Sequence, residues 1–256
     1  MDNEHRPTVA VIGGGQLARM MQESAIALGI ALRALVEAPG GSGGQAIVDA
    51  PVGDPRDLAA VLALIEGADV LTFEHEHIPA AVLEACAPLV AIEPPAAALL
   101  HAQDKLAMRE RLTAMGVPCP RWARVETRAD LEAFGAAVGW PLVVKTPRGG
   151  YDGHGVKAVH QARDADPWLG EGPLLAEEMV PFTREVAALL ARRPSGEIRS
   201  WPVASTVQED GVCSAVTAPA VGIRPATADL ARRIGEDIAE RLGVTGVLAV
   251  EMFVVG

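Results

Sequence analysis

Short apolar runs and stretches of helical period alternate along the first third of the chain. Residues 9–12 are an apolar run closed by Gly13-Gly14-Gly15, which predicts a strand and a tight turn. Beyond it Leu17, Met20, Met21, Ala25 and Leu28 fall on one stripe that Gly29 stops, which predicts an amphipathic helix. Apolar runs at 31–36, near 46–48, at 70–73 and at 89–92 predict further strands, and 55–65 and 79–86 predict helices. Alternating strand and helix predicts a parallel sheet with helices on both faces. Ligands bind such sheets at the carboxyl ends of strands. Residues 13–16 and the loop Glu74-His75-Glu76 sit there.

Glu93-Pro94-Pro95 punctuates the pattern and predicts a boundary, giving a first domain over 1–95. A helix follows over about 104–115, with Gly116 as its C-cap, Pro118 beyond it and Lys105 in its first turn. Residues 126–139 predict another helix and 142–144 a short strand. Residues 174–180 read as a strand or hinge, followed by strands at 186–190, near 200–207 and at 212–217. Leu230, Ile234, Ile238 and Leu242 recur every fourth position and Gly243 follows, which predicts a helix over 229–242. The last stretch, 246–255, is apolar on both faces and predicts a central strand.

The chemistry concentrates after residue 144. Lys145 stands at the end of the strand, and glycines follow at 149, 150, 153 and 155. Such a turn presents bare N–H groups as a concave anion site, and the lysine adds a point charge. This suits a nucleotide polyphosphate under a flexible lid; a plain glycine-rich surface turn has the same composition. It is not a Walker loop, because no Gly-Lys-Ser/Thr opens a helix here. Gly13, Gly15 and Ala18, with Glu37, also fit the dinucleotide fingerprint, or only the tight packing of a first helix. Glu74 and Glu76 suit a sugar's hydroxyls, or form a solvated acidic loop. Glu251 falls within the expected central strand, where a carboxylate needs a partner. Magnesium and an arginine both answer that need.

The chain has 256 residues, half of them hydrophobic, enough for two modest domains. A net charge of −11 with no basic block argues against nucleic acid and anionic membrane surfaces. Cys86, Cys119 and Cys213 are scattered, and the six histidines have no metal-ligand spacing, so neither a disulfide framework nor a zinc site is expected. No signal peptide or membrane-spanning run is read, and the cytoplasm is the expected compartment.

In order along the chain stand Gly-Gly-Gly-Gln-Leu-Ala-Arg-Met (13–20), Thr-Phe-Glu-His-Glu-His-Ile-Pro (72–79), Gln-Asp-Lys-Leu (103–106), Val-Val-Lys-Thr (143–146), Gly-Gly-Tyr-Asp-Gly-His-Gly (149–155), Glu-Glu-Met-Val (177–180), Glu185, Thr-Ala-Pro-Ala (217–220) and Val-Glu-Met-Phe (250–253). Together they resemble the ATP-grasp superfamily, and within it the 5-(carboxyamino)imidazole ribonucleotide synthases of bacterial purine biosynthesis. The resemblance implies an α/β and α+β chain. A Rossmann-like domain over 1–95 precedes an ATP-grasp fold, with a linker helix and lid subdomain over 96–180 and an incomplete C-terminal subdomain over 181–256. It implies a homodimeric enzyme that uses ATP, magnesium (or manganese) and bicarbonate to carboxylate 5-aminoimidazole ribonucleotide by way of carboxyphosphate.

By the same resemblance, Lys105 and Lys145 contact ATP phosphates beneath a lid of Gly150, Tyr151, Asp152, Gly153, His154, Gly155 and Val156. Glu177, Glu178, Met179 and Val180 line the adenine pocket, Glu185 takes the ATP ribose, and Gln208 stands near the nucleotide. Gly15, Gln16 and Leu17 lie near the ribonucleotide's phosphate, and Glu74 and Glu76 near its ribose. Tyr151 and Asp152, with Lys145, serve the carboxyphosphate, and Glu251 is a magnesium ligand. Three departures stand out. Gln208 replaces a frequent histidine and His77 a usual asparagine. The chain also stops at Gly256, before the family's next segment, which would carry a second magnesium carboxylate. The expectation is a fragment that binds nucleotide weakly and turns over poorly. Rival readings are an NAD(P)-dependent oxidoreductase resting on residues 13–18 and Glu37, another ATP-grasp ligase, and a non-catalytic nucleotide-binding protein.

Overall fold

The computed structural model describes residues 5–150, 154–209 and 211–256. They divide into two units, Met1–Leu99 and Leu100–Gly256. In the first, strands β1 (Thr8–Ile12), β2 (Ala31–Leu35), β3 (Val70–Phe73) and β4 (Ala91–Ile92) form a parallel sheet in the order β2-β1-β3-β4. Alternate residues of β1 face opposite ways. Val11 packs with Ala18 of helix α1 (Gln16–Leu28), and Ile12 packs with Leu64 of α2 (Leu58–Ile65) and Leu83 of α3 (Ala80–Cys86). Both faces are therefore covered, as the alternation predicts.

Three details of this unit differ from expectation. Leu17, Met20 and Leu28 of α1 are exposed, and Ala18 and Ala25 are the buried residues. The helix rests on its alanine side, where a small Cβ lets it approach the sheet. Residues 46–48 are not a strand: a 3₁₀ turn, Gly43–Gln45, precedes isolated bridges from Asp49 to Arg33 and from Val52 to Val36. The N–H of Gly43 donates to the carbonyl of Gly14 at 2.7 Å, which pulls the chain out of the sheet. Helix α4 (Ala96–Gln103) follows the double proline, where alanine-rich sequence hides any period.

The second unit begins with helix α5 (Lys105–Ala114). Strands β5 (Trp122–Val125), β6 (Leu142–Lys145), β7 (Val156–Val159) and β8 (Leu174–Glu178) form an antiparallel sheet in the order β5-β8-β6-β7. Helix α6 (Arg128–Val138) is opened by a capping box between Thr127 and Asp130. Its Leu131 packs with Leu142, Val144, Leu174 and Ala176 on one face of that sheet.

A second antiparallel sheet holds β9 (Arg184–Arg192), β10 (Ile198–Ser200), β11 (Ala204–Glu209), β12 (Val212–Thr217) and β13 (Gly246–Val254). Helix α7 (Pro225–Arg241) covers the face that carries Val186, Met252 and Val254. A Cβ at Gly235 would meet Ala188 Cβ at 3.1 Å and Leu190 Cδ2 at 3.2 Å, so glycine lets α7 lie close on β9. Leu230, expected on the packed stripe, is half exposed, while Ala231, Ile238 and Ala239 are buried.

Among the described strands, β13 pairs with β9 along its whole length. Its even-numbered residues face α7, and Val247, Glu251 and Phe253 lie on the exposed opposite face. Apolar character on both sides reflects a helix beneath one face and an open apolar surface on the other. Glu251, expected to be buried, is exposed among the described residues, and no arginine among them pairs with it.

Candidate functional site

Lys145 is the last residue of β6. The register sets Val143 opposite Glu177 and Lys145 opposite Leu175, so Lys145 and Glu177 are diagonal neighbours on one sheet face. That face is turned away from the Leu142–Val144–Ala176 core. Lys145 Nζ lies 2.5 Å from Glu177 Oε2, and Arg109 Nε of α5 donates to Glu177 Oε1 at 2.5 Å. The Glu177 side chain is 4% exposed. Burial pushes its pKa up, but the Lys145 ammonium and then the Arg109 guanidinium outweigh that, and the carboxyl is held below its ordinary value.

The glycine-rich loop leaves from Lys145. The N–H of Thr146 donates to the carbonyl of Gly155 at 2.9 Å, which closes the loop's base. Gly149 and Gly155 have φ of 74° and 68°, a backbone region that favours glycine. Lys105 Nζ donates to the carbonyl of Gly150 at 3.3 Å, so a second lysine is tied to the same loop. Tyr151, Asp152 and Gly153 lie outside the described residues; His154 and Val156 flank the loop's return, and Val156 opens β7. The N-terminus of α5 is not an open anion site, because Asp104 accepts the N–H groups of Leu106 at 3.0 Å and Ala107 at 3.1 Å. Burial raises the Asp104 pKa, but those N–H groups and Arg148 bring it below its ordinary value.

Residues 177–180 carry β8 into an irregular segment. Glu178 turns away from Glu177: its carboxylate accepts the N–H and the Nε–H of Arg121, both at 2.9 Å. The backbone N–H of Glu178 in turn donates to the carbonyl of Arg121 at 2.9 Å. Met179, Val180, Trp140 and Phe182 help to line a cavity of about 480 Å³. A larger cavity of about 710 Å³ is lined by Asp104, Thr146, Arg148 and Gly155 at the base of the glycine loop, with Trp168 and Glu171 on its other side. Neither cavity is lined by Lys105 or Lys145.

On the open face of the second sheet, Glu185 stands opposite Phe253, and Glu251 opposite Ala187. The two carboxylates are thus diagonal neighbours. Burial and then the charge of Glu251 push the Glu185 pKa up. Two repelling carboxylates on one open face fit a hard dication or a polarised hydroxyl pair. Phe253 also stacks on Phe182, with ring centroids 4.3 Å apart. Gln208 lies on β11 at a register shift opposite β12, and it is exposed. Among the described residues no group of three or more His, Cys, Asp or Glu could hold a metal ion by itself.

In the first unit the carboxyl ends of β1 and β3 meet. Glu74 accepts the N–H of Gly15 at 2.5 Å and of Ala18 at 2.7 Å. A carboxylate therefore sits where the fingerprint reading puts a pyrophosphate, and a second anion at those two amides would be repelled. Gln16 and Leu17 lie between these two donors, at the helix start. The Gln16 side chain accepts from Ser42 Oγ at 3.0 Å. Glu76 lies 3.9 Å from His77 Nε2, and His75 Nε2 lies 3.7 Å from Glu37. Glu37 thus faces a histidine at the ends of β2 and β3.

Arg109 was not singled out from the sequence. It stands one turn beyond Lys105 on the same helix, but its partner lies 68 residues away, and no local pattern joins the two.

The sequence matches the ATP-grasp domain over residues 110–256 and the ribonucleotide synthetase preATP-grasp domain over residues 7–103. It is 47% identical over 253 residues to the N5-carboxyaminoimidazole ribonucleotide synthase of Mycobacterium tuberculosis, covering 96% of this chain and 59% of that protein. The crystal structure of the Thermus thermophilus N5-carboxyaminoimidazole ribonucleotide synthetase superposes with a TM-score of 0.90 at 33% identity, over 97% of this chain and 68% of that one. The Aspergillus clavatus synthase, solved in complex with ADP and 5-aminoimidazole ribonucleotide, gives a TM-score of 0.88 at 32% identity, over 97% of this chain and 66% of that one. The chain thus spans about 59% of the length of the mycobacterial protein. Among the described residues no helix is long and apolar enough to cross a membrane.

Proposed function

Because the chain belongs to the ATP-grasp family, among the N5-carboxyaminoimidazole ribonucleotide synthases, we propose that it serves the ATP-dependent carboxylation of 5-aminoimidazole ribonucleotide. In this reading a bicarbonate oxygen attacks the γ-phosphorus of ATP and ADP leaves, forming carboxyphosphate. The exocyclic amine of the ribonucleotide then attacks the carboxyl carbon, phosphate leaves, and the nitrogen gives up a proton. Phosphoryl transfer asks chiefly for positioning and charge neutralisation, and the labile intermediate asks for exclusion of water.

The observation that carries the reading is the pair of lysines joined to one glycine loop: Lys145 at its start and Lys105 donating to Gly150. They supply two positive charges where a triphosphate needs them. The segment 177–180 offers backbone groups and an apolar wall to adenine, and Glu185 takes the ribose hydroxyls. Gln208 stays near the nucleotide. Tyr151 and Asp152 keep their assignment beside the carboxyphosphate. In the first unit the amides of Gln16 and Leu17 serve the ribonucleotide's phosphate and Glu76 its ribose. Glu74 orders the turn through Gly15 and Ala18 and presents its outer edge to the sugar. Glu251, whose neighbour on that face is Glu185, would hold magnesium, which would supply charge neutralisation at the phosphates. Bicarbonate as carboxyl source, a homodimeric assembly and a cytoplasmic setting complete the proposal.

A thermal melt tests the binding step, since a ligand that binds only the folded state raises the midpoint. Mg-ATP is expected to raise it and NAD⁺ to leave it unchanged. A shift with NAD⁺ alone would overturn the reading. Release of ADP that requires both bicarbonate and the aminoimidazole ribonucleotide tests the chemistry.

A further inference from the structure

Lys145 has a neighbour that the proposed mechanism does not use. Arg109 of α5 holds Glu177 Oε1 from one side, while Lys145 holds Oε2 from the other, each at 2.5 Å. The Arg109 side chain is 16% exposed and Lys145 24%, so the three charges lie largely out of water. The other arm of Arg109, Nη1, reaches Cys119 Sγ at 3.9 Å.

The charge count decides what this arrangement does. With Lys145 as its only partner, Glu177 would form a neutral buried pair with it. A phosphate approaching Lys145 would then have to draw the ammonium from a carboxylate that nothing else neutralises, and an uncompensated buried charge is costly. Arg109 removes that conflict. Its guanidinium is always protonated and it is fixed to the opposite oxygen, so the cluster carries one net positive charge. Glu177 stays neutralised when Lys145 turns toward an anion. An ammonium has three donors and Glu177 takes one, which leaves two for a ligand. Arg109 also fixes the orientation of the carboxylate, and through it the position of Nζ.

We infer that Arg109 is a positioning residue for the nucleoside triphosphate: by clamping Glu177 it sets where Lys145 presents its ammonium and leaves that ammonium available to the polyphosphate. The inference rests on the assignment of Lys145 to ATP.

A double-mutant cycle tests it, with Mg-ATP titrated calorimetrically into this chain and into Arg109→Met, Lys145→Met and the double variant, and circular dichroism checking the fold of each. If Arg109 acts through Lys145, Arg109→Met weakens Mg-ATP about tenfold in the parent and less than about threefold once Lys145 is gone, because coupled residues are non-additive. Arg109→Lys recovers most of the loss. Parent-like affinity in Arg109→Met, or the same loss with and without Lys145, overturns the inference and leaves the ATP assignment standing. If Arg109→Met does not fold, Arg109→Lys carries the cycle, with a loss of about threefold in the parent and none in Lys145→Met; equal losses in both overturn the inference. Parent-like binding by Lys145→Met would instead overturn the ATP assignment of that lysine, and the inference with it.

Discussion

Glu74 caps a helix that is remote from it in sequence: its carboxylate accepts the backbone N–H of Gly15 at 2.5 Å and that of Ala18 at 2.7 Å. A charged acceptor on the N-cap amide and on one first-turn amide stabilises α1 through hydrogen bonds and the helix dipole together. Close approach is possible because residue 15 is glycine; a Cβ there would lie 2.7 Å from Glu74 Oε1. Glu74→Ala is therefore expected to cost about 1–2 kcal/mol, the usual penalty for a lost helix cap, read as a lower urea midpoint with an unchanged slope.

Lys145→Ala is expected to leave the fold intact and to lower the rate of ADP release on the order of a hundred- to a thousand-fold, as loss of a well-placed charge-stabilising donor does. A normal rate in that variant would remove the loop from the nucleotide site.

Glu177 makes stability depend on pH. Its folded pKa is depressed, so its contribution is present above the unfolded value, near 4.5, and is lost as pH falls through the lowered folded value. Denaturation curves of the parent should shift steeply below about pH 4.5. Glu177→Gln should be destabilised by about 1–3 kcal/mol at neutral pH, since two partly buried cations lose their charged acceptor. It should also flatten that acid limb. An unchanged limb in the variant would mean that other carboxylates govern it.

Glu185 carries the opposite sign. Its folded pKa is raised, by burial and then by Glu251, so any stabilisation from its protonated form is present at low pH and lost as pH rises through the raised value. Glu251→Gln is expected to bring the Glu185 pKa, followed by carbon NMR, back toward the ordinary range and to raise the neutral-pH melting temperature. The stabilisation by Mg²⁺ with ATP should shrink in the same variant.

Gly155 sits at φ 68°, so Gly155→Ala is expected to cost about 1 kcal/mol or more, because a side chain in the left-handed region is strained. The loop base, held by the Thr146 to Gly155 hydrogen bond, should loosen. Mg-ATP affinity should fall while the helical signal stays unchanged.

The local elements were legible in the sequence where a physical period or a special residue announced them. β1, β3, α5 and β6 fall within a residue or two of where the pattern puts them. Lys145 and the glycines after it were visible because strand, cation and glycine follow one another directly. Contacts between distant residues left no local trace. The exposure of Leu17 and Leu230 depended on which side of each helix found the sheet. The Arg109–Glu177–Lys145 cluster depended on the one register that makes residues 145 and 177 diagonal neighbours. The sequence by itself determined which segments can be strands, which turns need glycine and where charge is available for a phosphate, because those follow from backbone sterics and periodicity within a few residues. The tertiary structure alone decided which charges meet and which apolar faces are covered. Coulomb energy and burial depend on distance in space, and strand register, not sequence separation, sets that distance.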